Sequence, residues 1–372
     1  MSLMFNSHRF RSILYLSQCY IHPSPLNFFS TASNHKAFTV PYLINKFGFS
    51  PEIALKTSKR VHFDNPQKPE SVLAFFKTHG FSDTQINSVM RRAPELLTCD
   101  PINRVLPKFQ FLISKGASPF DVVATVSRSP DFLRKSLENH IIPAFELVRR
   151  FSPSDERAIA CVIASPTSIS DARVQHNVNM LIDEGVTHNN IYHLFRTRPT
   201  VLCSNDLGKV LDEVKKMGFN PSKTSFSVAM LAKKAITKAQ WDAKIDAFKT
   251  WGWSEQEILE AFKRLPQFML RSPGKLNAVI SFWVGQLGWD RSTLLRAPVI
   301  FGYSLEKRLI PRASVVKELL SKGLMRKDAN LVTPFGLSED MFLEKFVRCL
   351  DEKDASRLLK LYQKELQHLS VG

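Results

Sequence analysis

Apolar and polar positions follow a helical spacing along most of this chain, and a glycine followed by a hydrophobic residue interrupts that pattern at regular intervals. Successive steps lie 33 to 36 residues apart, with one double interval in which Phe151-Ser152 replaces the glycine step. No stretch of useful length alternates as a strand would. A period in the thirties is typical of a helical solenoid, in which each unit buries its apolar face by stacking on its neighbours. The steps begin at Gly80, Gly116, Gly185, Gly218, Gly252 and Gly288.

A proline follows most of these steps at a fixed distance. It lies fourteen residues after the glycine, or after Ser152 in the unit that lacks one, and these prolines are Pro94, Pro130, Pro166, Pro199 and Pro266. Two units depart from the rule, because Ala232 occupies the proline position after Gly218 and Pro298 comes only ten residues after Gly288. We call these residues the anchor prolines. Each predicts the end of a helix, since the residue before proline is disfavoured in helical conformation.

The residues after each glycine step predict a helix start. A hydroxyl followed three residues later by an amide or acid forms a capping box, which satisfies two free N–H groups at a helix N-terminus. The predicted pairs are Ser82 with Gln85, Ser118 with Asp121, Ser152 with Asp155, and Ser254 with Glu257. Asn220 and Asp290 are further predicted caps, and Pro119, Pro153 and Pro221 fit the first helical position. We expect helices over 83–92 and 255–264, and a slightly longer one after Ser152.

Beyond each anchor proline the sequence predicts a short helical turn and then a second long helix, such as 105–115 or 207–217. The third residue after the proline is apolar and predicts one buried contact per unit, at Leu97, Leu133, Ile169, Leu202, Met269 and Phe301. The predicted fold class is therefore all-α: an α-solenoid superhelix of three-helix units, each with two longer helices and a proline-initiated turn.

The two ends of the chain differ from this array. Residues 1–51 contain four basic residues and no acid, and are rich in serine, which is typical of an organelle transit peptide. We predict a leader over 1–36 with cleavage between Phe29 and Ala37, a repeat array over 37–324 and a helical tail over 325–372. The mitochondrion is the predicted destination, with the chloroplast as the alternative. No run of about 18 apolar residues predicts a membrane span.

Positive charge is concentrated in the array. Of the net charge of +17, residues 1–51 carry +4, residues 325–372 are neutral, and residues 52–324 hold 39 basic against 26 acidic side chains. Such a surplus is the electrostatic footprint of a polyanion binder. A surplus that serves solubility alone is the alternative.

Many of these cations lie beside the anchor prolines. If units stack, they line up as a stripe, although cations at helix C-termini also compensate the helix dipole without binding anything. The predicted nucleic-acid-binding residues are Arg91, Arg92, Arg128, Arg134, Lys135, Arg196, Arg198, Lys233, Lys234, Lys263, Arg264, Arg271 and Arg296.

Catalytic and metal-binding signatures are absent from the sequence. It contains no dinucleotide fingerprint, phosphate-binding loop, nucleophile elbow or zinc-protease motif. The five cysteines form no CxxC pair, and His188 and His193 are five residues apart, which does not place two ligands on one helical face. We therefore predict no cofactor, no metal and no enzymatic activity.

The combination of these features resembles a known family. Gly-Phe-Ser-type steps, a helix, Arg-x-Pro and a following Leu-Leu or Phe-Leu are similar to the mitochondrial transcription termination factor (mTERF) family, especially its land-plant branch. The segment from Pro41 to Ser50 and the helix starts at Leu106-Pro107-Lys108 and Ile141-Ile142-Pro143 add to the resemblance, which covers roughly residues 40–325. It implies a basic groove that binds double-stranded DNA or organellar RNA, in transcription termination or regulation, or in intron splicing.

Two other classes of function remain open from the sequence. One is a helical-repeat scaffold for protein–protein interaction in the organelle, with incidental charge. The other is a single-stranded RNA reader of the pentatricopeptide type, which the mid-unit proline disfavours because that class uses a strict two-helix unit. A monomer is expected for a groove-forming solenoid.

Overall fold

The computed structural model describes residues 38–326 and 328–367. The chain divides into two compact units, residues 1–66 and 67–372. In the first unit, helices Thr39–Phe47 and Pro51–Thr57 are joined at Gly48, whose φ is 65°. The Thr39 hydroxyl donates to the Phe63 carbonyl at 2.9 Å and accepts from its N–H at 3.1 Å. The predicted leader and its cleavage site lie outside the described residues.

The second unit contains the repeat array and the C-terminal helices; of the seven anchor helices, which end at or near the anchor-proline positions, five have ten residues each. The two helices predicted over 83–92 and 255–264 are confirmed at both ends. The anchor helices are Asp83–Arg92, Pro119–Arg128, Asp155–Ala164, His188–Thr197, Thr224–Ala235, Glu255–Arg264 and Ser292–Arg296.

The anchor prolines start the predicted short turns. The turns are 3-10 helices over Pro94–Thr98, Pro130–Arg134, Pro199–Cys203, Pro266–Leu270 and Pro298–Gly302, and an α-helical turn over Pro166–Ile169. The third residue after each proline has at most 2% of its surface exposed, which confirms the predicted contact at all six positions.

The second long helices complete the units. The predicted helix over 105–115 is confirmed as Leu106–Ser114, which the short helix Pro101–Arg104 precedes, and the one over 207–217 is confirmed as Leu207–Lys216. These helices are Gln67–Thr78, Pro101–Arg104 with Leu106–Ser114, Leu137–Ile141 (π) with Ile142–Arg149, Ala172–Asp183, Leu207–Lys216, Lys238–Thr250, Pro273–Ile280 with Ser281–Gln286 (π), and Leu305–Leu309 (π) with Ile310–Ser321. With no strand among the described residues, the all-α solenoid is confirmed.

Three of the four predicted capping boxes form, at Ser82, Ser118 and Ser254. The prediction at Ser152 was wrong. Ser154 is the N-cap there, accepting from the Arg157 N–H, and its helix has ten residues like its neighbours. Ser152 instead donates to the Ser154 carbonyl at 2.9 Å, so Pro153 precedes the helix rather than starting it.

The predicted caps at Asn220 and Asp290 were also wrong. Each aspartate or asparagine side chain accepts from the N–H two residues ahead, which forms a local turn instead of a helix start. The helices then begin later, at Thr224 and Ser292, and neither has a side-chain cap. Pro221 consequently lies in the turn before the helix.

The glycines of all six predicted steps have positive φ. Position 252 requires glycine for two reasons: its φ is +86°, and an added Cβ would clash with Nη1 of Arg291. That guanidinium donates to the Trp251 carbonyl at 2.6 Å, so an arginine of the next unit closes the end of helix Lys238–Thr250.

One buried position on the second helices alternates between apolar and polar residues from unit to unit. Where it is polar, the side chain donates to the carbonyl 25 residues ahead, at the third residue after a proline. These bonds satisfy carbonyls that the short turns leave without a backbone partner. The residues at this position are Val72, Lys108, Ala144, Asn177, Val210, Lys244, Leu276 and Arg312, all at most 8% exposed.

The array is followed by helices Thr333–Gly336, Glu339–Leu343 with Glu344–Arg348 (π), and Glu352–Gln367. Helix Ile310–Ser321 packs on the last of these through a hydrophobic cluster that includes Phe342, Leu358 and Tyr362. Arg312 donates to the carbonyls of Pro334 and Leu337 at 2.8 Å each, so the same buried contact occurs once more at the start of this segment.

Candidate nucleic-acid interface

The ends of the anchor helices carry backbone carbonyls that proline leaves without donors. Proline has no N–H, and the helix stops before it, so carbonyls of the last turn need partners from elsewhere. Three predicted arginines supply them across the unit boundary. Arg92 donates to the carbonyls of Ser127 and Arg128, the latter at 2.8 Å.

The same contact recurs at the next boundary and again further along the array. Arg128 donates to the Ile163 carbonyl at 2.5 Å, and Arg264 donates to the Leu295 carbonyl at 3.2 Å. In each case the acceptor lies three residues before the next anchor proline. These arginines therefore join successive units while their side chains remain at least partly exposed.

Arg296, the fourth arginine two residues before an anchor proline, has different partners. Its Nη2 bonds to the Asp290 carboxylate at 3.0 Å and to the Ser292 hydroxyl at 2.7 Å. Ser292 begins the helix of Arg296, and Asp290 lies two residues before it. The carboxylate offsets the charge of Arg296 locally, although the pair is largely exposed and therefore weak.

Three predicted lysines are also paired. Lys263 contacts Glu260 at 2.9 Å. Lys233 lies 3.1 Å from Glu213 and 4.2 Å from the centre of the Trp241 ring.

Lys234 lies 2.5 Å from Asp206, and this hydrogen bond is the main reason why the pKa of the Asp206 carboxyl is lowered. Paired in this way, the lysine offers less net charge to an external anion.

Other predicted cations have no such partner. Arg91, Arg196, Arg198 and Arg271 are exposed, and Lys135 is half-buried. Among the described residues, none of these five side chains has a hydrogen bond or an ion pair. Arg134 differs, because it contacts Asp131 at 3.1 Å. The structure thus divides the thirteen predicted cations into three that donate to carbonyls of the next unit, five that contact a carboxylate, and five without a partner among the described residues.

Two cations outside the predicted set lie beside Arg134 and Lys135. These are Arg104 and the buried Lys108, which together line a pocket of about 290 Å³. The signal that could have found Lys108 is the repeat itself, because it lies 25 residues before Leu133, as Lys244 does before Met269. Neither lysine lies near an anchor proline in sequence, so proximity to proline did not reveal them.

The unit without an anchor proline has a larger cleft of about 750 Å³. Its lining includes Glu213, Lys216 and Trp241, and the short connection at Ile236 and Thr237. Of the four lysines in its lining, Lys233 and Lys234 are those already paired with Glu213 and Asp206. The other charged residues of its lining are exposed, so among the described residues the cleft holds no buried, unpaired charge that would select a ligand.

Within residues 38–326 and 328–367, no group of three or more His, Cys, Asp or Glu side chains could hold a metal ion. Among the same residues, no helix is long and apolar enough to span a membrane. His193 bonds to the Ser227 hydroxyl at 3.1 Å, and burial lowers the pKa of its imidazole. Cys161 is buried, and burial raises the pKa of its thiol.

Comparison with known proteins points to one family. The mTERF family model matches residues 73–237 and 235–352 of this chain. The chain is also similar to "Transcription termination factor MTERF15, mitochondrial" of Arabidopsis thaliana, with 20% identity over 199 residues. That alignment covers 44% of this chain and 45% of the relative, so the match spans about half the length of the curated protein.

Proposed function

This chain belongs to the mTERF family, and on that premise we propose that it is a nucleic-acid-binding regulator of organelle gene expression. It binds through its helical array and has no catalytic role. Its ligand is double-stranded DNA or organellar RNA, and its role is in transcription termination or regulation, or in intron splicing. The observation that carries the proposal is the placement of exposed, unpaired cations at the ends of anchor helices and beside the proline turns.

The excess charge explains why the ligand is a polyanion. Residues 52–324 hold 39 basic and 26 acidic side chains, whereas residues 325–372 are balanced. Contacts to backbone phosphates require positive charge and depend little on sequence. The array is therefore the binding element, and the neutral C-terminal helices complete its apolar packing.

The two groups of cations have different roles in this proposal. Arg92, Arg128 and Arg264 hold adjacent units together through backbone carbonyls. The side chains that contact the nucleic acid are those without partners among the described residues: Arg91, Lys135, Arg196, Arg198 and Arg271. Arginine suits this task because its planar guanidinium stays charged and can bond two phosphate oxygens at once.

The mitochondrion is the proposed location, with the chloroplast as the alternative. The acid-free, serine-rich first 36 residues have the composition of an organelle leader. The similar Arabidopsis protein is described as mitochondrial. A fusion of residues 1–51 to a fluorescent protein, imaged with markers for both organelles, tests this part of the proposal.

The decisive experiment measures binding of the protein from Ala37 onward to duplex DNA and to single-stranded RNA of equal length across a salt series. A variant with Arg91, Arg196, Arg198 and Arg271 changed to alanine removes four unpaired cations. The matched control changes four exposed, unpaired lysines elsewhere: Lys209, Lys317, Lys353 and Lys360.

We expect tight binding whose logarithm falls linearly with the logarithm of salt concentration. Removing one phosphate contact should reduce the slope by about 0.9 for duplex DNA or about 0.7 for a single strand. The arginine variant should bind more weakly with a smaller slope, and the lysine control should change little. The preferred polymer would separate a role on DNA from one on RNA. Weak binding to both polymers, equal in all three proteins, would reject the proposal and favour a protein-binding scaffold.

A further inference from the structure

A small pocket opens where helix pair Pro101–Arg104 and Leu106–Ser114 meets the turn Pro130–Arg134 of the following unit. Its volume is about 290 Å³. A water molecule takes about 30 Å³ of liquid volume, so the pocket holds roughly ten times that volume. Four cationic side chains line it, namely Arg104, Lys108, Arg134 and Lys135.

Lys108 lies at the floor of the pocket. The residue is 5% exposed, and its Nζ donates to the Leu133 carbonyl at 2.6 Å. An ammonium group has three N–H donors, and this is its one hydrogen bond among the described residues. Burial, and then the nearby charge of Arg104, lower the pKa of Lys108. A buried cation of this kind gains most from an anion that replaces its lost hydration.

The rim of the pocket adds charge that is not neutralised. Arg104 is exposed and Lys135 is half-buried, and within the described chain neither has an ion pair. Arg134 is held by Asp131 at 3.1 Å. The lining contains one carboxylate, Glu138, which accepts a hydrogen bond from the Ser136 hydroxyl at 3.2 Å.

The equivalent positions of other units lack this cluster. Around Lys244, the residues that correspond to Arg104 and Arg134 are Gln240 and Leu270. Around Asn177, the residue that corresponds to Arg104 is Arg173, which is 2.7 Å from the Asp171 carboxylate. Stacking the units therefore does not require four cations here, and their convergence needs another explanation.

We propose that this pocket binds a phosphate group, with Lys108 at its floor and Arg104, Arg134 and Lys135 around it. The inference rests on the proposed function, in that the backbone of a bound nucleic acid is the source of the phosphate. A free phosphorylated small molecule presents the same chemistry from another source. The guanidinium groups of Arg104 and Arg134 can each donate hydrogen bonds to two phosphate oxygens, while the Lys108 ammonium adds a localised positive charge.

The first test uses inorganic phosphate as the probe and needs no nucleic acid. Thermal unfolding is followed with increasing phosphate at constant ionic strength, kept with chloride. Three proteins are compared: the wild type, the pocket variant Arg104→Ala/Lys135→Ala, and the control Lys353→Ala/Lys360→Ala. Both pairs remove two unpaired cations without touching the buried Lys108, so all three should fold.

A ligand that binds the folded state raises its stability as the ligand concentration exceeds the dissociation constant. We expect phosphate to raise the Tm of the wild type and of the control, and at least half of that shift to disappear in the pocket variant. Equal shifts in all three proteins, or no shift in the wild type, would overturn the proposal.

The second test identifies the source of the phosphate from the salt dependence of nucleic-acid binding. If the pocket holds a backbone phosphate, the slope for duplex DNA should fall by about 0.9 per contact in the pocket variant and stay unchanged in the control. A phosphate-dependent Tm shift with unchanged slope would support a free phosphorylated ligand instead. If the wild type binds no nucleic acid, the proposed function fails, and the Tm comparison still decides whether the pocket takes phosphate.

Discussion

The units that begin at Gly252 and at Gly218 differ in how their anchor helices start and end. In the first, helix Glu255–Arg264 starts at a capping box, stops before Pro266 and is followed by a short turn. In the second, the helix starts without a side-chain cap and runs through Ala232 to Ala235. Two residues, Ile236 and Thr237, then connect it to the next helix.

The difference shows how much the anchor proline decides in its surroundings. At three of the helices that end before an anchor proline, Pro130, Pro166 and Pro298, an arginine of the preceding unit donates to a carbonyl at the helix end. Where proline is absent, the lysines at the helix end pair with acids of the preceding helix and its N-cap, and a cleft of about 750 Å³ opens beside them. One period thus accommodates two helix endings with different surface chemistry.

The largest expected effect comes from giving the second unit the missing proline. Ala232→Pro should lower the free energy of unfolding by about 3 kcal/mol or more, because proline in a helix interior removes a hydrogen bond and clashes with the preceding turn. Ala232 is fully buried, which adds to the cost. Chemical denaturation followed by circular dichroism measures the change. The control is Ala239→Pro, one of the first residues of helix Lys238–Thr250, where the expected loss is smaller.

If Ala232→Pro were neutral, the two helix endings would be interchangeable, and the proline would not determine how a unit is built.

The next effect concerns Lys244 of helix Lys238–Thr250, whose Nζ donates to the Met269 carbonyl in the turn Pro266–Leu270. Lys244→Met should lower the free energy of unfolding by about 2 kcal/mol, since it leaves the Met269 carbonyl, now bonded at 2.5 Å, without a donor. Exposed Lys238→Met, on the same helix, is the matched control. Urea denaturation of both variants measures the difference.

The pH dependence of the same pair has a definite sign. Burial lowers the pKa of Lys244 in the folded state, so the unfolded state binds more protons between that pKa and the usual value of 10.5. Stability supplied by this group therefore rises as pH rises through that window and is lowest below it. The wild type should gain stability relative to Lys244→Met as the pH approaches the ordinary lysine pKa. A constant difference between them would contradict the burial argument.

A change at the glycine step of Gly252 should lower the free energy of unfolding by a smaller amount. Gly252→Ala should cost about 1–2 kcal/mol, because φ is +86° and the new Cβ would displace Arg291 from the Trp251 carbonyl. Gly274→Ala is the control, since that glycine is helical with nothing within 4 Å of an added Cβ. Thermal unfolding should show a loss for the first change and a small gain for the second. Equal losses would mean that the left-handed conformation is not what the step requires.

The smallest effect compares the two kinds of helix end directly. Arg264→Ala should cost about 1 kcal/mol, because it removes the donor to the Leu295 carbonyl. Lys234→Ala should cost less than about 0.5 kcal/mol, because it breaks an ion pair whose acid is half exposed. Denaturation at low and at high salt separates them: the lysine effect should fade with salt and the arginine effect should persist. The opposite order would mean that the carbonyl contact does not join the units.

Short-range features of this chain could be predicted because their physical causes are local. A hydroxyl three residues before an amide or acid forms a cap by itself, and proline ends a helix through its own ring, so the helices over 83–92 and 255–264 were correct at both ends. The wrong predictions also have local causes. The Ser152 side chain donates to the Ser154 carbonyl and the Asn220 side chain accepts from the Ser222 N–H, so each forms a local turn instead of capping a helix.

The candidate site was less predictable for a different reason. Proximity to an anchor proline, or to Ala232 in its place, selected thirteen cations, yet it could not tell Arg91, which is unpaired, from Arg92, which donates to a carbonyl 36 residues ahead. It also missed Lys108, whose position has meaning only against the turn of the next unit.

Periodicity, capping and the excess of positive charge depend on neighbouring residues or on simple sums. They already specified an all-α array, and they predicted a polyanion as its ligand. Which cations close the contacts between units, which remain available, and where Arg104, Lys108, Arg134 and Lys135 converge depend on how one unit stacks on the next. Those contacts join residues some 25 to 36 positions apart, so only the folded array could establish them.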